Sequence, residues 1–242
     1  MNNRRLNADS ILAPASGERP KVLVILLHGV GANGEDLMSL AEAWQELLPD
    51  AVFVSPHAPE PYDGGHPDAY QWFSLEGITP ENRTDRVVRN APMLSRFIDE
   101  QLALYHLTDR QLALVGFSQG TIMALFMALK RPRPCAALLG YSGRLAGAES
   151  IDPVFSRPRV LLIHGTADQT IPVSELYAAE NALKAHHVPV IAIAEPGVAH
   201  SISPEGELLG GQFLKYCLET EPTQEPAAFI EGMQQVLRRT VR

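Results

Sequence analysis

Ser118 stands in Gly116-Phe117-Ser118-Gln119-Gly120, a G-x-S-x-G sequence set between two apolar runs, Leu112 to Val115 and Ile122 to Leu129. A serine hydroxyl attacks poorly unless a sharp turn holds it out beside a base, and flanking glycines let the backbone make that turn. The chemistry this would serve is acyl transfer through a covalent acyl-enzyme. By background residue frequencies the bare pattern arises in about 7% of chains of this length, so the pattern alone decides little. Its place between a strand-like and a helix-like run is the context the motif requires, and that favours the functional reading. Gly140-Tyr141-Ser142-Gly143 also follows an apolar run. It lacks the second spacing and leads into no clear helix, so Ser142 reads as a loop hydroxyl.

Such a nucleophile needs a base, and the base needs an acid to orient it. In an open parallel sheet these groups gather at the carboxyl ends of the strands, so each partner must follow a strand. Asp168 does so, in His164-Gly165-Thr166-Ala167-Asp168 after the run Arg159 to Ile163. Asp152 precedes that run and is set aside, while Glu195 ends a later run and is the alternative acid. His28, His57, His164 and His200 share the edge, but only His200 comes after Asp168. The order Ser, acid, His of α/β-hydrolases selects it. Pro196-Gly197-Val198-Ala199 reads as a mobile loop able to carry that base back over Ser118. His28 and His164 each precede a glycine at a strand end and read as loop-fixing groups. His66, His106, His186 and His187 fall in expected loops or exposed helix positions, and nothing pairs them as metal ligands. Neither a metal ion nor an organic cofactor has a task in this scheme.

The elements that must position these groups are six short apolar runs: Val22 to Leu27, Ala51 to Ser55, Gln111 to Val115, Ala136 to Tyr141, Arg159 to Ile163 and Val188 to Ala194. Between them Glu35 to Leu48, Thr84 to Tyr105, Gln119 to Lys130 and Val173 to His186 repeat apolar residues at three or four positions, the period of a helix. Strand and helix in alternation predict an α/β fold, a mostly parallel central sheet with helices on both faces. Pro92 interrupts the second helix, where a kink or break is expected. The stretch Pro56 to Arg83 keeps no period and reads as a long irregular connection of the kind that often carries function. Two further helices, Pro204 to Leu218 and Glu225 to Arg239, follow the last strand. The second places Phe229, Ile230, Met233, Val236 and Leu237 on one face, expected to pack on the domain, with a homodimer or membrane contact as the alternatives.

At 242 residues one core suffices and a single domain is expected, with residues 1–20 as an N-terminal segment, 21–218 as the domain, and 219–242 as a linker and packing helix. A formal charge of -8 argues against a nucleic-acid partner, which would need a surplus of Lys and Arg on one face. Cys135 and Cys217 are unclustered and suggest neither a disulfide framework nor a zinc site. No signal-like stretch opens the chain and no run of about 18 apolar residues follows, so a cytoplasmic protein without stable membrane insertion is expected.

Leu27-His28-Gly29-Val30-Gly31, the Ser118 motif, the Asp168 motif and Gly197-Val198-Ala199-His200 together resemble the phospholipase/carboxylesterase family, which includes bacterial carboxylesterases and acyl-protein thioesterases. The resemblance spans about Lys21 to Leu218. It implies the α/β-hydrolase fold, an oxyanion hole made by the backbone N–H groups of Val30 and Gln119, and serine hydrolysis of a small-molecule ester. Gln71-Trp72-Phe73-Ser74 with Gly77-Ile78-Thr79 looks most like a small bacterial esterase branch. The thioesterase branch usually carries an aspartate where this chain has Ser74, which weighs against that assignment. Trp72 and Phe73 are the expected substrate contacts, since the insertion His57 to Arg83 offers Trp72, Phe73, Leu75 and Ile78 and is otherwise mainly small, polar or proline. Trp72 has a core role as its alternative. One such wall predicts a shallow pocket for short to medium acyl chains. The alternatives are a long-chain thioesterase or lysophospholipase, with Phe229 and Met233 as a second wall, or a non-catalytic binding protein of the same fold.

Overall fold

The structure, a computed structural model, describes residues 5–147, 151–220 and 226–240. Its strands are β1 (Ser10–Leu12), β2 (Val22–Leu27), β3 (Ala51–Ser55), β4 (Glu60–Pro61), β5 (Tyr70–Gln71), β6 (Leu112–Phe117), β7 (Ala137–Tyr141), β8 (Arg159–Gly165) and β9 (Val190–Glu195). Its α-helices are α1 (Met38–Trp44), α2 (Pro80–Tyr105), α3 (Gln119–Lys130), α4 (Ser174–Ala185), α5 (Pro204–Glu219) and α6 (Pro226–Thr240). Seven strands form one sheet in the order β1-β3-β2-β6-β7-β8-β9, parallel throughout except for the antiparallel β1–β3 pair. The expected α/β-hydrolase architecture is therefore present in a single domain.

A strand buried on both faces sends alternate side chains to opposite layers. Leu23, Ile25 and Leu27 of β2 and Leu112 and Leu114 of β6 join one core cluster with Leu94, Phe97 and Ile98 of α2 and Met123 and Leu125 of α3. Val24 and Leu26 of β2 and Ala113 and Val115 of β6 join the other, with Trp44 of α1 and Phe213 and Leu214 of α5. The near-continuous apolar runs of the sequence follow from this two-sided burial. The indole N–H of Trp44 donates to the Glu207 carbonyl at 3.0 Å and ties α1 to α5.

Three elements differ from the sequence-based expectation. β1 adds an antiparallel edge strand within the segment expected to precede the domain, Ser10 pairing with Ser55 and Leu12 with Phe53. The connection from Pro56 to Arg83 contains the β4–β5 ribbon and gives its last residues to α2, which starts at Pro80 with Thr79 as its cap. That helix also runs through Pro92 without a break. Both Pro92 and Val88, whose carbonyl loses its i→i−4 donor, lie on the exposed side, where water can serve the freed oxygen.

Helix α6 packs on the domain through Phe229 and Met233, both buried in the α5 layer. The Phe229 ring meets Phe213 edge-on at 6.3 Å between centroids. Because a buried Met truncated to Ala loses contacts and leaves a cavity, Met233→Ala is expected to lower the unfolding free energy by about 2–5 kcal/mol in denaturant titration. A change below about 0.5 kcal/mol would show that α6 contributes nothing to the core.

Candidate active site

Ser118 occupies the turn between β6 and α3 with φ 53° and ψ −116°, a left-sided backbone conformation unusual for a residue bearing a Cβ. The flanking glycines have a steric reason as well as a conformational one. A Cβ on Gly120 would overlap the Leu27 carbonyl of β2, and one on Gly116 would lie 2.5 Å from the Thr121 nitrogen. The helix thus begins as close to the sheet as backbone allows. The Ser118 N–H donates to the Tyr141 carbonyl of β7 at 2.9 Å, which fixes the turn from the other side.

His200 follows β9 and presents Nε2 3.0 Å from Ser118 Oγ, while its Nδ1 lies 2.7 Å from Asp168 Oδ2. A carboxylate oxygen can only accept, so Nδ1 carries the proton and Nε2 is left to take one from the serine hydroxyl. The Asp168 side chain is closed to water, whereas His200 retains some exposure. Burial opposes ionisation of Asp168, but the His200 bond and the N–H groups of Ile171 and Thr170, each 2.9 Å from Oδ1, together hold its carboxyl below the ordinary range.

His164 completes this environment. Its Nε2 is 2.7 Å from the Ile171 carbonyl, so that nitrogen bears hydrogen, and the same nitrogen lies 3.2 Å from Asp168 Oδ2. The loop-fixing role read from sequence therefore includes a contact to the carboxylate that holds His200. The i, i+4 spacing of His164 and Asp168 across a strand end was the available signal. His28 fixes a loop only: its Nε2 accepts from the Ala58 N–H at 3.0 Å, its Nδ1 donates to the Gly29 carbonyl at 2.7 Å, and burial lowers it to about 4. His57 accepts from the Gly34 N–H at 2.9 Å and stacks on Tyr70.

The alternative acid has a different partner. Glu195 accepts from Ser203 Oγ at 2.6 Å, and that oxygen in turn accepts from the Gly206 N–H as the cap of α5. Ser142 is buried with φ 44°, and its hydroxyl has no protein partner among the described residues, so no base activates it. The loop carrying His200 is also tied down. Ala167 N–H donates to the Val198 carbonyl, Gly197 N–H to Thr166 Oγ1, and Thr166 N–H to the Glu195 carbonyl, all at 2.9 Å. Its placement rests on these bonds rather than on mobility.

Val30, after β2, and Gln119, the first residue of α3, reach the same edge. Neither N–H has a backbone acceptor among the described residues, and a first-turn N–H has none within its own helix. The Gln119 side chain has a separate task. It accepts from the Trp72 N–H and donates to the Phe73 carbonyl, each at 2.7 Å, clamping the long connection to the serine turn.

A profile of the phospholipase/carboxylesterase family matches residues 8–218. The chain belongs to that family. It is accordingly a hydrolase of the esterase or thioesterase type. Esterase YpfH of Escherichia coli (strain K12) is 31% identical over 175 residues, covering 72% of this chain and 74% of its own. Acyl-protein thioesterase 1 of Schizosaccharomyces pombe is 30% identical over 194 residues, 75% of this chain and 84% of that one. Among solved structures, esterase PE8 superposes with a TM-score of 0.84 at 34% identity, over 88% of this chain and all of that one.

One expectation for this family member needs correction. Trp72 and Phe73 are 1% and 2% exposed, so neither presents a surface to substrate. An indole N–H needs an acceptor when buried, and that of Trp72 finds the His28 carbonyl at 2.9 Å. Trp72 thus braces the strand end that leads to Val30. Asp63 organises the outer part of the same connection, accepting from Gln71 Nε2 and Ser74 Oγ, each at 2.7 Å. Ser74 is therefore engaged within the loop.

Asp168→Asn is expected to lower kcat by about 10⁴, since an amide can hold His200 in the wrong tautomer and cannot stabilise imidazolium. Glu195→Gln should cost far less, and the reverse ranking in side-by-side kinetics would contradict the assignment of acid. Because the His200 bond and the Ile171 and Thr170 N–H groups outweigh burial at Asp168, NMR titration of its carboxyl is expected to give a midpoint below the ordinary carboxylate range. A midpoint at or above the ordinary value of about 3.9 would contradict that balance.

Proposed function

We propose that the protein is a serine carboxylesterase that cleaves esters of short to medium acyl chains through an acyl-enzyme. The observation that carries this reading is the continuous hydrogen-bonded line Asp168 Oδ2, His200 Nδ1, His200 Nε2, Ser118 Oγ, with steps of 2.7 and 3.0 Å. Ser118 Oγ attacks the acyl carbonyl as His200 takes its proton, and Asp168 stabilises the resulting imidazolium. The N–H groups of Val30 and Gln119 receive the oxyanion. His200 returns its proton to the leaving alcohol, and water attacks the acyl-enzyme with His200 again as base.

The acyl-length reading rests on the space beside the triad. A pocket of about 220 Å³ next to Phe117, the residue before Ser118, and Ile202, two residues past His200, is lined by Leu37 and Leu40 but also by Asp36, Ser39 and Glu207, a mixed wall that offers a long acyl chain little apolar surface. The Phe117 and His200 rings lie 5.0 Å apart between centroids. That volume is below the roughly 300–1,000 Å³ of sites for drug-sized ligands. Each buried CH₂ contributes about 0.8 kcal/mol only where apolar walls meet it, so a palmitoyl chain gains little over a shorter one here. Phe229 and Met233, which could have supplied a second wall, are consumed in the packing of α6.

Across p-nitrophenyl esters from acetate to palmitate under one detergent condition, kcat/KM is expected to peak at six carbons or fewer. An optimum at palmitate would favour the long-chain thioesterase or lysophospholipase reading. Matched oxygen esters and thioesters of one acyl group would separate those two chemistries.

Ser118→Ala and His200→Ala are each expected to lower kcat by about 10⁴ or more on the preferred ester while leaving the melting transition in place. More than about a tenth of activity in either purified variant would remove that residue from the mechanism.

A further inference from the structure

The sheet's other end holds a second cavity, of about 500 Å³, where the chain enters β6, β7, β8 and β9. It lies opposite Ser118, which stands at the carboxyl end of β6; at about 3.3 Å per residue the two sites are roughly 20 Å apart. Its volume is within the range of small-molecule sites. Three prolines, Pro134, Pro158 and Pro189, form much of its wall. Proline rings have fixed φ and no N–H, so this wall is rigid and offers apolar surface in place of backbone donors.

The remaining wall carries four arginines and one carboxylate among neutral residues. Arg133 and Arg157 stand exposed at the mouth, and Arg159 lies behind them at 7% exposure. The one carboxylate in the lining, Asp109, is occupied: Oδ1 accepts from Arg131 Nε at 2.7 Å and Oδ2 from Arg133 Nε at 3.0 Å. Arg157 gives its Nε to the His186 carbonyl at 2.8 Å, and Arg159 spends its donors on Ala136, Cys217 and Thr220 oxygens. Among the described residues neither Arg157 nor Arg159 has a carboxylate partner. Among the described residues Arg157 engages only its Nε, so its terminal N–H groups are available to an anion at the mouth. In a chain of net charge -8 this concentration of arginine runs against the overall balance.

We propose that this cavity is a binding site, separate from the hydrolytic one, for a small organic anion: a compact apolar body that seats against the prolines and a carboxylate or phosphate that pairs with the terminal N–H groups of Arg157 and Arg133 at its mouth. Guanidinium groups bind both anions through paired N–H donors, so the two share one recognition chemistry. The site makes no claim on the acyl-transfer reaction and is measured without turnover.

The test is calorimetric titration of the full chain with 2-naphthoate, 1-naphthyl phosphate and neutral 2-naphthol, after Ser118 has been blocked covalently with a fluorophosphonate. At least one anion should bind at one equivalent with Kd at or below about 1 mM, and 2-naphthol about tenfold or more weakly. The better of carboxylate and phosphate tells which group the site takes. Arg157→Met should weaken the anion about tenfold, and Arg157→Lys less, because charge remains without the planar fork. Absence of saturable binding by both anions, equal affinity for 2-naphthol, or unchanged affinity in Arg157→Met would overturn the proposal. Should the substituted protein not fold, the comparison of anions with 2-naphthol on the unaltered chain still decides it.

Discussion

The backbone of Ser118 is the constraint on which the site depends. A non-glycine residue at φ 53° costs on the order of 1–3 kcal/mol and persists only where its surroundings over-determine it. Here the sheet order supplies that determination, because β6 lies between β2 and β7. β7 takes the Ser118 N–H at the Tyr141 carbonyl, and β2 presses the Leu27 carbonyl against Gly120. Helix α3 cannot back away, since it is buried along nearly its whole length. The turn that points the serine hydroxyl outward also leaves the Gln119 N–H without a backbone acceptor among the described residues. The outward hydroxyl of Ser118 and the free amide of Gln119 among the described residues are thus two results of one strained turn.

Two carboxylates at the same edge show how neighbours divide the work. Asp168 follows β8, Glu195 ends β9, and both are buried. Asp168 meets the Thr170 and Ile171 amides and two histidines, a set that favours the ionised form and leaves Oδ2 facing His200. Glu195 meets Ser203, whose hydroxyl caps α5, and so anchors the far end of the segment that contains His200. One acid orients the imidazole, while the other secures the chain that delivers it. His28 and Trp72 play the corresponding part beneath Val30.

What could be read from the sequence divides along physical lines. Strands buried on both faces, such as β2 and β3, and the helix α3 give strong periodic or continuous signals, and their observed bounds match the expected ones. The three-residue β1 has no such signal, because its pairing with β3 is a tertiary event that Ser10, Ile11 and Leu12 do not announce locally. The β4–β5 ribbon pairs two residues with two, one of them Pro61, and is too short to show alternation. The order of Ser118, Asp168 and His200 was legible because it follows strand ends. The burial of Trp72 was not, because the need of its indole N–H for a buried acceptor is met by His28, which is remote in sequence. The arginine-lined cavity was equally hidden, since Arg133, Arg157 and Arg159 converge only when β7 and β8 pair.

Activation of Ser118 by its place in the fold is measured most directly by covalent labelling. Native protein is treated with a fluorophosphonate, digested and mapped by mass spectrometry, alongside the same chain in denaturant and a His200→Ala variant. The account predicts one adduct, on Ser118, in the native protein and essentially none in the other two. Labelling of another serine, or equal labelling of Ser118 in the unfolded chain, would contradict it.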